Sequence, residues 1–347
     1  MTRLRLLLLF AIFCQLYVHG QKEILIDQEE INSIIVETDS ILPFNGVLGI
    51  LQQNKKPIIF YHGYQSPIHK KILLDSTDYF YLASNSKLFT GLATLKMMKD
   101  YNLKFDDQIG PYFPELDSNL KKITIQQLAN HTCAIHDYFS MINEPFEVTN
   151  EQALKLIYGL HSTVYEPGLK WGYTNSGYVL LSELVERVSQ MAYNDYLDKE
   201  ILSIFEINNA QLNPDVSGVL KGYIHHTPSV KLSVTTGDAG IYLKTADLIN
   251  FFRNQAKVLD FAKQAYNWSS PWKNNGWRYG FGWFFSEDSI GKFRAHAGKS
   301  SGFESYIRIY ESNQLMIFVL SNNENGSAKM LREKIIKKLN ATKRTKH

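Results

Sequence analysis

The sequence predicts an α/β (α+β) protein whose antiparallel sheet is built from both chain ends and flanked by helices, with a mostly helical region inserted between its strands. Three observations carry this reading. Strand-like runs stand near the N-terminus and again in the last third of the chain, the long stretch between them carries apolar residues at helical spacing, and an amphipathic helix stands outside the strands at each end.

Taken in order, residues 27–41, "DQEEINSIIVETDSI", open with Asp27 and Glu30 in capping-box spacing. They place Ile31, Ile34, Ile35 and Thr38 on one face, as an amphipathic helix packed on a sheet requires. "GVLGILQQ" and "KPIIFYHGY", separated by the polar "NKK", read as a hairpin. In "SNSKLFTGLATLKMMKDY", Leu88, Leu92, Leu95 and Met98 recur at helical spacing, which predicts a helix from Ser84 to about Tyr101 with Ser84 near its first turn. Helical spacing continues through "TIQQLANHT" and "SGYVLLSELVERVSQMAYNDYLDKEIL" to about Leu212. After a polar stretch at 213–230 the pattern returns to strands in "YGFGWFFS", "KFRAHAG", "SGFESYIRIYE" and "LMIFVLSNN", the last apolar enough to be buried on both faces. "SAKMLREKIIKKLN" closes the chain as an amphipathic helix with a basic outer face.

The chain has 347 residues, 44% of them hydrophobic and 20% charged, which suffices for a sizeable core. Residues 1–20, "MTRLRLLLLFAIFCQLYVHG", have the grammar of a secretory signal cleaved near Gly20: two arginines, an apolar run interrupted at Gln15, then a small residue. That run is shorter than the roughly 20 residues that span a bilayer, so no stable membrane insertion is expected after cleavage. The expectation is a secreted or periplasmic protein with one catalytic domain at 21–347. Its sheet part covers about 24–83 and 230–340, and its helical part about 84–229. Loss of Arg3 and Arg5 leaves 35 Lys+Arg against 34 Asp+Glu, a formal charge of +1, so no nucleic-acid partner is implied. Without Cys14, Cys133 is the only cysteine, which excludes an internal disulfide. No zinc spacing, HExxH or Gly-rich phosphate loop is present, and the doublet His225-His226 reads as a solvated loop. No metal or organic cofactor is expected.

Ser-x-x-Lys occurs four times, at Ser84, Ser118, Ser270 and Ser289. A serine hydroxyl needs a base within hydrogen-bond reach, and positions i and i+3 of a helix share a face, which brings Lys87 to Ser84. A helix start adds free N–H groups that favour a developing oxyanion. Only Ser84 has this setting: Ser118 lies in a polar loop, Ser270 precedes Pro271 and Ser289 lies in a turn beside Gly291. A second feature is "PGLKWGYTNSGY", which contains the only Tyr-x-Asn, Tyr173-x-Asn175, just before an amphipathic helix. An ammonium beside a phenol favours phenolate, which makes such a tyrosine a proton shuttle. The Asn175 amide can hold a lysine and a substrate carbonyl together. The plainer alternative for Tyr173 is a loop aromatic packing on Trp171. A third feature is "AHAGKSSGFES", whose glycines permit an edge strand to pair with a substrate amide.

With these residues in view, the chain resembles the serine hydrolases of the β-lactamase and penicillin-binding protein superfamily, in particular the class C-like branch with esterases and D-amino-acid-specific peptidases. Ser84-x-x-Lys87 resembles the first motif, Tyr173-x-Asn175 the second, and His296-x-Gly298 the His-x-Gly form of the third, where other members have Lys-Thr-Gly. "LKFDDQIGPYFPEL", "EPGLKWGYTNSGYVLL" and "LSNN" are also similar to the family, and the resemblance spans about 24–340. It implies the β-lactamase/transpeptidase-like fold and a serine hydrolase acting through an acyl-enzyme on an ester, amide or D-amino-acid peptide bond of a small molecule or peptide. The alternatives are a penicillin-binding DD-peptidase or β-lactamase, and a non-catalytic module that retains the fold. It further implies an oxyanion held by the N–H groups of Ser84 and Lys299, with His296 and Gly298 lining the pocket and His296 hydrogen-bonding on the Tyr173 side.

The sequence departs from the family at two places. "HTCA" stands where relatives have His-Thr-Ser-Gly, so Ala134 is expected to change a turn that favours glycine, and Cys133 to be a buried small residue. His296 replaces a permanently charged lysine with a side chain mostly neutral at pH 7, which favours esters or internal peptide bonds unless Lys299 restores the charge. Gly298-Lys299-Ser300-Ser301-Gly302 also matches the Gly-x-Ser-x-Gly elbow. That elbow needs a strand-turn-helix and a later acid and histidine; no Asp follows, and the only later histidine is His347.

Overall fold

The computed structural model describes residues 24, 26–142, 148–212, 218–229, 235–272, 276–300, 302–311 and 314–344. The segment read as an export signal lies outside the described residues. Eight antiparallel strands form the main sheet: β1 (Gly46–Gln52), β2 (Ile58–His62), β3 (Ser270–Trp272), β4 (Trp277–Gly280), β5 (Trp283–Glu287), β6 (Lys292–Ser300), β7 (Phe303–Tyr310) and β8 (Leu315–Ser321). Their order is β2-β1-β8-β7-β6-β5-β4-β3, so the N-terminal hairpin docks on the last strand of this sheet. This is the sheet from both ends that the sequence predicts.

The central strands are buried on both faces. In β8, Met316, Phe318 and Leu320 face one core while Leu315, Ile317 and Val319 face the other. That alternation of two apolar sets explains why the run reads as continuously apolar. β1 follows the same rule, with Val47 and Leu51 on one side and Leu48 and Ile50 on the other. Between them Gly49 leaves space for its register partner Phe318, since a Cβ there would fall 2.1 Å from the ring.

The outer layer consists of α1 (Gln28–Ile41), capped by Asp27, and α8 (Ser327–Arg344). Ile31 and Ile35 of α1 meet Leu331, Ile335 and Leu339 of α8 in the smaller core. The opposite face carries α2 (Ser86–Asp100), α3 (Ile125–Ala129), α4 (Asn150–Tyr158), α5 (Asn175–Ser189), α6 (Thr245–Arg253) and α7 (Leu259–Asn267). α2 is buried without a break from Ser86 to Leu95, so it is the axis of this layer rather than a surface helix.

Two features depart from the sequence reading. The long helix expected after Ser176 breaks at Gln190, whose left-handed backbone (φ +57°) ends α5. α6 and α7 lie within the stretch read as sheet-forming. Leu248, Phe251 and Phe252 in α6 and Phe261, Ala262 and Ala265 in α7 have the helical spacing that marks them. Among the described residues no helix is long and apolar enough to cross a membrane.

Candidate active site

Ser84 is positioned from both sides. A short strand, Phe80–Tyr81, pairs with Ile241–Leu243, and the Leu82 N–H donates to the Ile241 carbonyl at 2.9 Å. The chain then turns through Ala83, left-handed at φ +47°, into a 3₁₀ turn over Ala83–Asn85. Ser84 therefore sits in a tight turn immediately before α2, not on the helix as expected, while Lys87 is on it. A non-glycine residue in that backbone region costs about 1–2 kcal/mol. The turn is held by packing and by polar ties: Asn85 Nδ2 donates to Ser305 Oγ at 2.8 Å, and Ser305 Oγ to the Leu82 carbonyl at 2.5 Å.

Lys87 is wholly buried. Its Nζ donates to Asn175 Oδ1 at 2.8 Å, to the Asp238 carbonyl at 2.8 Å and to Ser84 Oγ at 3.3 Å, which uses all three ammonium protons. Burial of a charge is tolerable only with such pairing. Asn175 opens α5, and its Nδ2 donates to Asp137 Oδ2 at 3.1 Å. Burial raises the Asp137 carboxyl above its ordinary range, opposed by the Phe139 N–H it caps and by the Lys87 charge. Asp238, also raised by burial, accepts from Tyr138 Oη at 2.9 Å and Thr235 Oγ1 at 2.7 Å. Neither aspartate was singled out in the sequence. Both come to Lys87 through tertiary contacts that no local spacing announces.

Tyr173 meets Lys87 through its ring, with the ammonium 5.1 Å from the centroid. It is 37% exposed, which leaves it facing the open side of the site. It also packs against His131, with centroids 4.3 Å apart, and against Trp171 at 6.2 Å, so its loop packing and its approach to Lys87 coexist. His131 opens the "HTCA" segment and was not singled out in the sequence. It is fully buried, its Nδ1 accepts from the Thr174 N–H at 3.4 Å, and burial with the nearby Lys87 charge keeps it neutral.

His296 lies on β6 opposite Ile307. Its Nδ1 is 2.8 Å from the Ala297 carbonyl, which makes that nitrogen the donor, and Nε2 is 3.4 Å from Tyr279 Oη. Burial, reinforced by Lys87, lowers its pKa to about 3, so the neutral imidazole expected from the sequence is what the fold favours. Its hydrogen bonds go to Ala297 and Tyr279. Tyr279 and Tyr173 pack on the same His131 ring, with centroids 4.5 and 4.3 Å from it.

The β5–β6 ladder ends at Phe284–Ala295, whereas the β6–β7 ladder runs on to Ser300–Phe303. Residues 296–300 therefore present an edge unpaired by β5, as the sequence reading asks of this strand. Gly298 holds that edge against the nucleophile turn: a Cβ there would fall 2.3 Å from the Leu82 carbonyl oxygen, 2.5 Å from Ser305 Oγ and 3.0 Å from Ser84 N. Lys299 is largely exposed and ion-paired with Glu324 at 3.2 Å, so it does not restore the charge that His296 lacks.

Ser118 lies in an exposed loop, Ser270 on edge strand β3 and Ser289 in a turn bonded to Asn340. Ser300 ends β6 and is followed by another strand, so the strand-turn-helix of the elbow is not formed there. Cys133 is buried and free, its thiol pushed up to about 11 by burial. Ala134 keeps the left-handed backbone at φ +57°, so the expectation of an altered turn is corrected: the turn persists with alanine strained in it.

Comparison with known proteins gives a consistent placement. A family model described as Beta-lactamase matches residues 44–340. Penicillin-binding protein 4* of Bacillus subtilis (strain 168) is 28% identical over 319 residues, covering 82% of this chain and 69% of that protein. Protein flp of Staphylococcus aureus (strain MRSA252) is 29% identical over 287 residues, covering 75% of this chain but only 56% of flp. Among solved structures, a penicillin-binding protein from Bacillus halodurans superposes with a TM-score of 0.75 at 20% identity, covering 88% of this chain and 98% of that one. D-amino acid amidase from Ochrobactrum anthropi SV3, complexed with L-phenylalanine amide, gives 0.77 at 17% identity, covering 92% and 100%. Those two likenesses speak for the β-lactamase/transpeptidase-type fold, and the family match goes further: the chain belongs to the β-lactamase family, within the superfamily of β-lactamases and penicillin-binding proteins.

Proposed function

We propose that the chain is an exported serine hydrolase that cleaves an ester, amide or D-amino-acid peptide bond through an acyl-enzyme, using one catalytic domain that follows the leader at 1–20. The observation that carries this reading is the buried Lys87 ammonium bridging Ser84 Oγ and Asn175 Oδ1. Ser84 Oγ attacks the carbonyl carbon as its proton passes to the deprotonated Tyr173 oxygen, while Lys87 stays an ammonium and holds Ser84 Oγ. The tetrahedral oxyanion is held by the N–H groups of Ser84 and Lys299, each such donor being worth about 3 kcal/mol. The carbon–leaving-group bond breaks as Tyr173 returns a proton to the departing oxygen or nitrogen. Water then gives a proton to the same relay, attacks the acyl carbon and frees Ser84. Asn175 orients Lys87 and the substrate carbonyl, and Gly298 allows the substrate to lie along the β6 edge.

The same surroundings bear on the substrate. A neutral His296 and a Lys299 engaged by Glu324 offer no free cation for a carboxylate beside the scissile bond. Esters, amides and internal peptide bonds suit such a site better than a free C-terminal acid.

The test is labelling of the folded protein with a fluorophosphonate and, separately, a fluorescent penicillin, with the adduct located by peptide mass spectrometry. A fluorophosphonate adduct on Ser84, absent from Ser84→Ala, is the expected result. Stable penicillin labelling of Ser84 moves the assignment to a penicillin-binding peptidase. No adduct from either reagent rejects the hydrolase.

A further inference from the structure

A cleft apart from Ser84, between α7 and the far end of the sheet, encloses about 580 Å³. Its floor is a row across four strands. Arg278 pairs with Phe285, Phe285 with Arg294, and Arg294 with Ile309, so these side chains share one sheet face. Its roof includes Leu259, Ala262 and Tyr266 of α7. Leu259 and Tyr266 stand seven residues apart, on one helix face, and are 49% and 47% exposed. Two large apolar side chains stand partly open over a floor in which Phe285 and Ile309 alternate with two arginines, and the volume lies within the range that holds small organic ligands, about 300–1,000 Å³.

Charge restricts the occupant. Arg253, Lys263, Arg278, Lys292 and Arg294 line the cleft against only Glu287 and Glu311. Arg294 is 2% exposed. Its Nη1 donates to Glu311 at 2.9 Å and its Nη2 to Gln255 at 2.6 Å, and its buried Nε has no partner among the described residues. Arg253, Lys263 and Lys292 are exposed. An apolar chamber with a surplus of cations, some fixed in its floor and others at its margin, suits an anion with a water-shunning body, and guanidinium forks match carboxylate geometry.

We propose that this cleft is a binding site for an amphiphilic carboxylate, a medium-chain fatty acid or an arylalkanoic acid, separate from the Ser84 site. The apolar body lies between α7 and the Phe285–Ile309 floor, and the carboxylate faces the basic margin. No covalent step is involved. The floor continues along β6 from Arg294 to His296, two residues apart and on the same sheet face, so an occupied cleft abuts the strand that lines the catalytic pocket.

The test is isothermal titration of the full chain, with Ser84 blocked by fluorophosphonate, using sodium decanoate below its micellar concentration and decanamide as the uncharged control. If Ser84 does not label, unblocked protein serves. Saturable binding at one site is expected, with decanamide about tenfold weaker or worse, a difference of about 1.4 kcal/mol. Leu259→Glu and Lys292→Glu, both at exposed positions and checked for an unchanged melting temperature, should each weaken decanoate about tenfold and leave phosphonate labelling of Ser84 unaltered. Absence of saturation, several equivalents bound, equal affinity for decanamide, or indifference to both variants would each overturn the proposal.

Discussion

Asp137 Oδ2 accepts a hydrogen bond from the Asn175 amide nitrogen at 3.1 Å, while the oxygen of the same amide receives one from Lys87 at 2.8 Å. The carboxylate thus fixes which end of the amide faces the lysine, because a flipped amide would present N–H groups to an ammonium. Asp137→Ala should free the amide and misplace Lys87, lowering the rate of phosphonate labelling by about 10²-fold, and should also lower the melting temperature because the Phe139 N–H loses its cap. Asp137→Asn keeps an acceptor and should stay within a few-fold of the parent. Equal rates for parent and Asp137→Ala would show that Asn175 is oriented without Asp137.

Ser84→Ala and Lys87→Ala should separate on stability although both abolish labelling. Removing the serine hydroxyl takes away one acceptor at 3.3 Å, whereas removing the ammonium leaves Asn175 Oδ1 and the buried Asp238 carbonyl without their donor. An unsatisfied buried acceptor costs about 1–3 kcal/mol, so Lys87→Ala should unfold at distinctly lower denaturant than Ser84→Ala. Coincident urea transitions would count against Lys87 as a structural tie.

Ala134 sits at φ +57° with almost no exposure. Relief of a left-handed non-glycine residue is worth about 1–2 kcal/mol, and the added freedom of glycine in the unfolded chain returns about 0.4–1 kcal/mol of that. Ala134→Gly should therefore stabilise the protein by roughly 1 kcal/mol, read from the urea midpoint at constant slope. A loss of stability would mean that the alanine methyl contributes more packing than its backbone costs.

The contrast between Ala134 and Asp238 shows what the sequence could reveal. The sheet built from both chain ends, the α2 helix, and the nearness of Ser84, Lys87 and Tyr173-x-Asn175 were legible because apolar periodicity and short spacings record local geometry directly. Ala134 was legible as an anomaly, but its outcome was not: whether the turn gives way or the residue strains depends on the surrounding packing. Asp137 and Asp238 were invisible because their roles arise from contacts across the fold, Asp238 meeting Tyr138 one hundred residues away. Helices α6 and α7 had readable spacing in Leu248-Phe251-Phe252 and Phe261-Ala262-Ala265 that the strand-rich neighbourhood overshadowed. The placement of Ser84 ahead of α2 depends on the backbone of Ala83, for which an alanine in the sequence gives no sign.

His296 makes acid stability a test of the site's electrostatics. In the native protein it takes up a proton only near pH 3, because burial and the Lys87 charge disfavour imidazolium, whereas the unfolded histidine binds one near its ordinary 6.5. Between those values the unfolded state holds more protons, so stability falls as pH falls, by about 1.4 kcal/mol per pH unit for this group, and its contribution is fully present above 6.5. Buried His131 acts in the same sense, while Asp137 and Asp238, raised by burial, are favoured at low pH and act in the opposite one. His296→Gln retains an amide donor for the Ala297 carbonyl and removes the titrating group. Urea unfolding between pH 5 and 6 should show a slope of stability against pH shallower than the parent's by about 1.4 kcal/mol per unit. Identical slopes would mean that native His296 carries a proton in that range, and a charged His296 would reopen the pocket to carboxylate-bearing substrates.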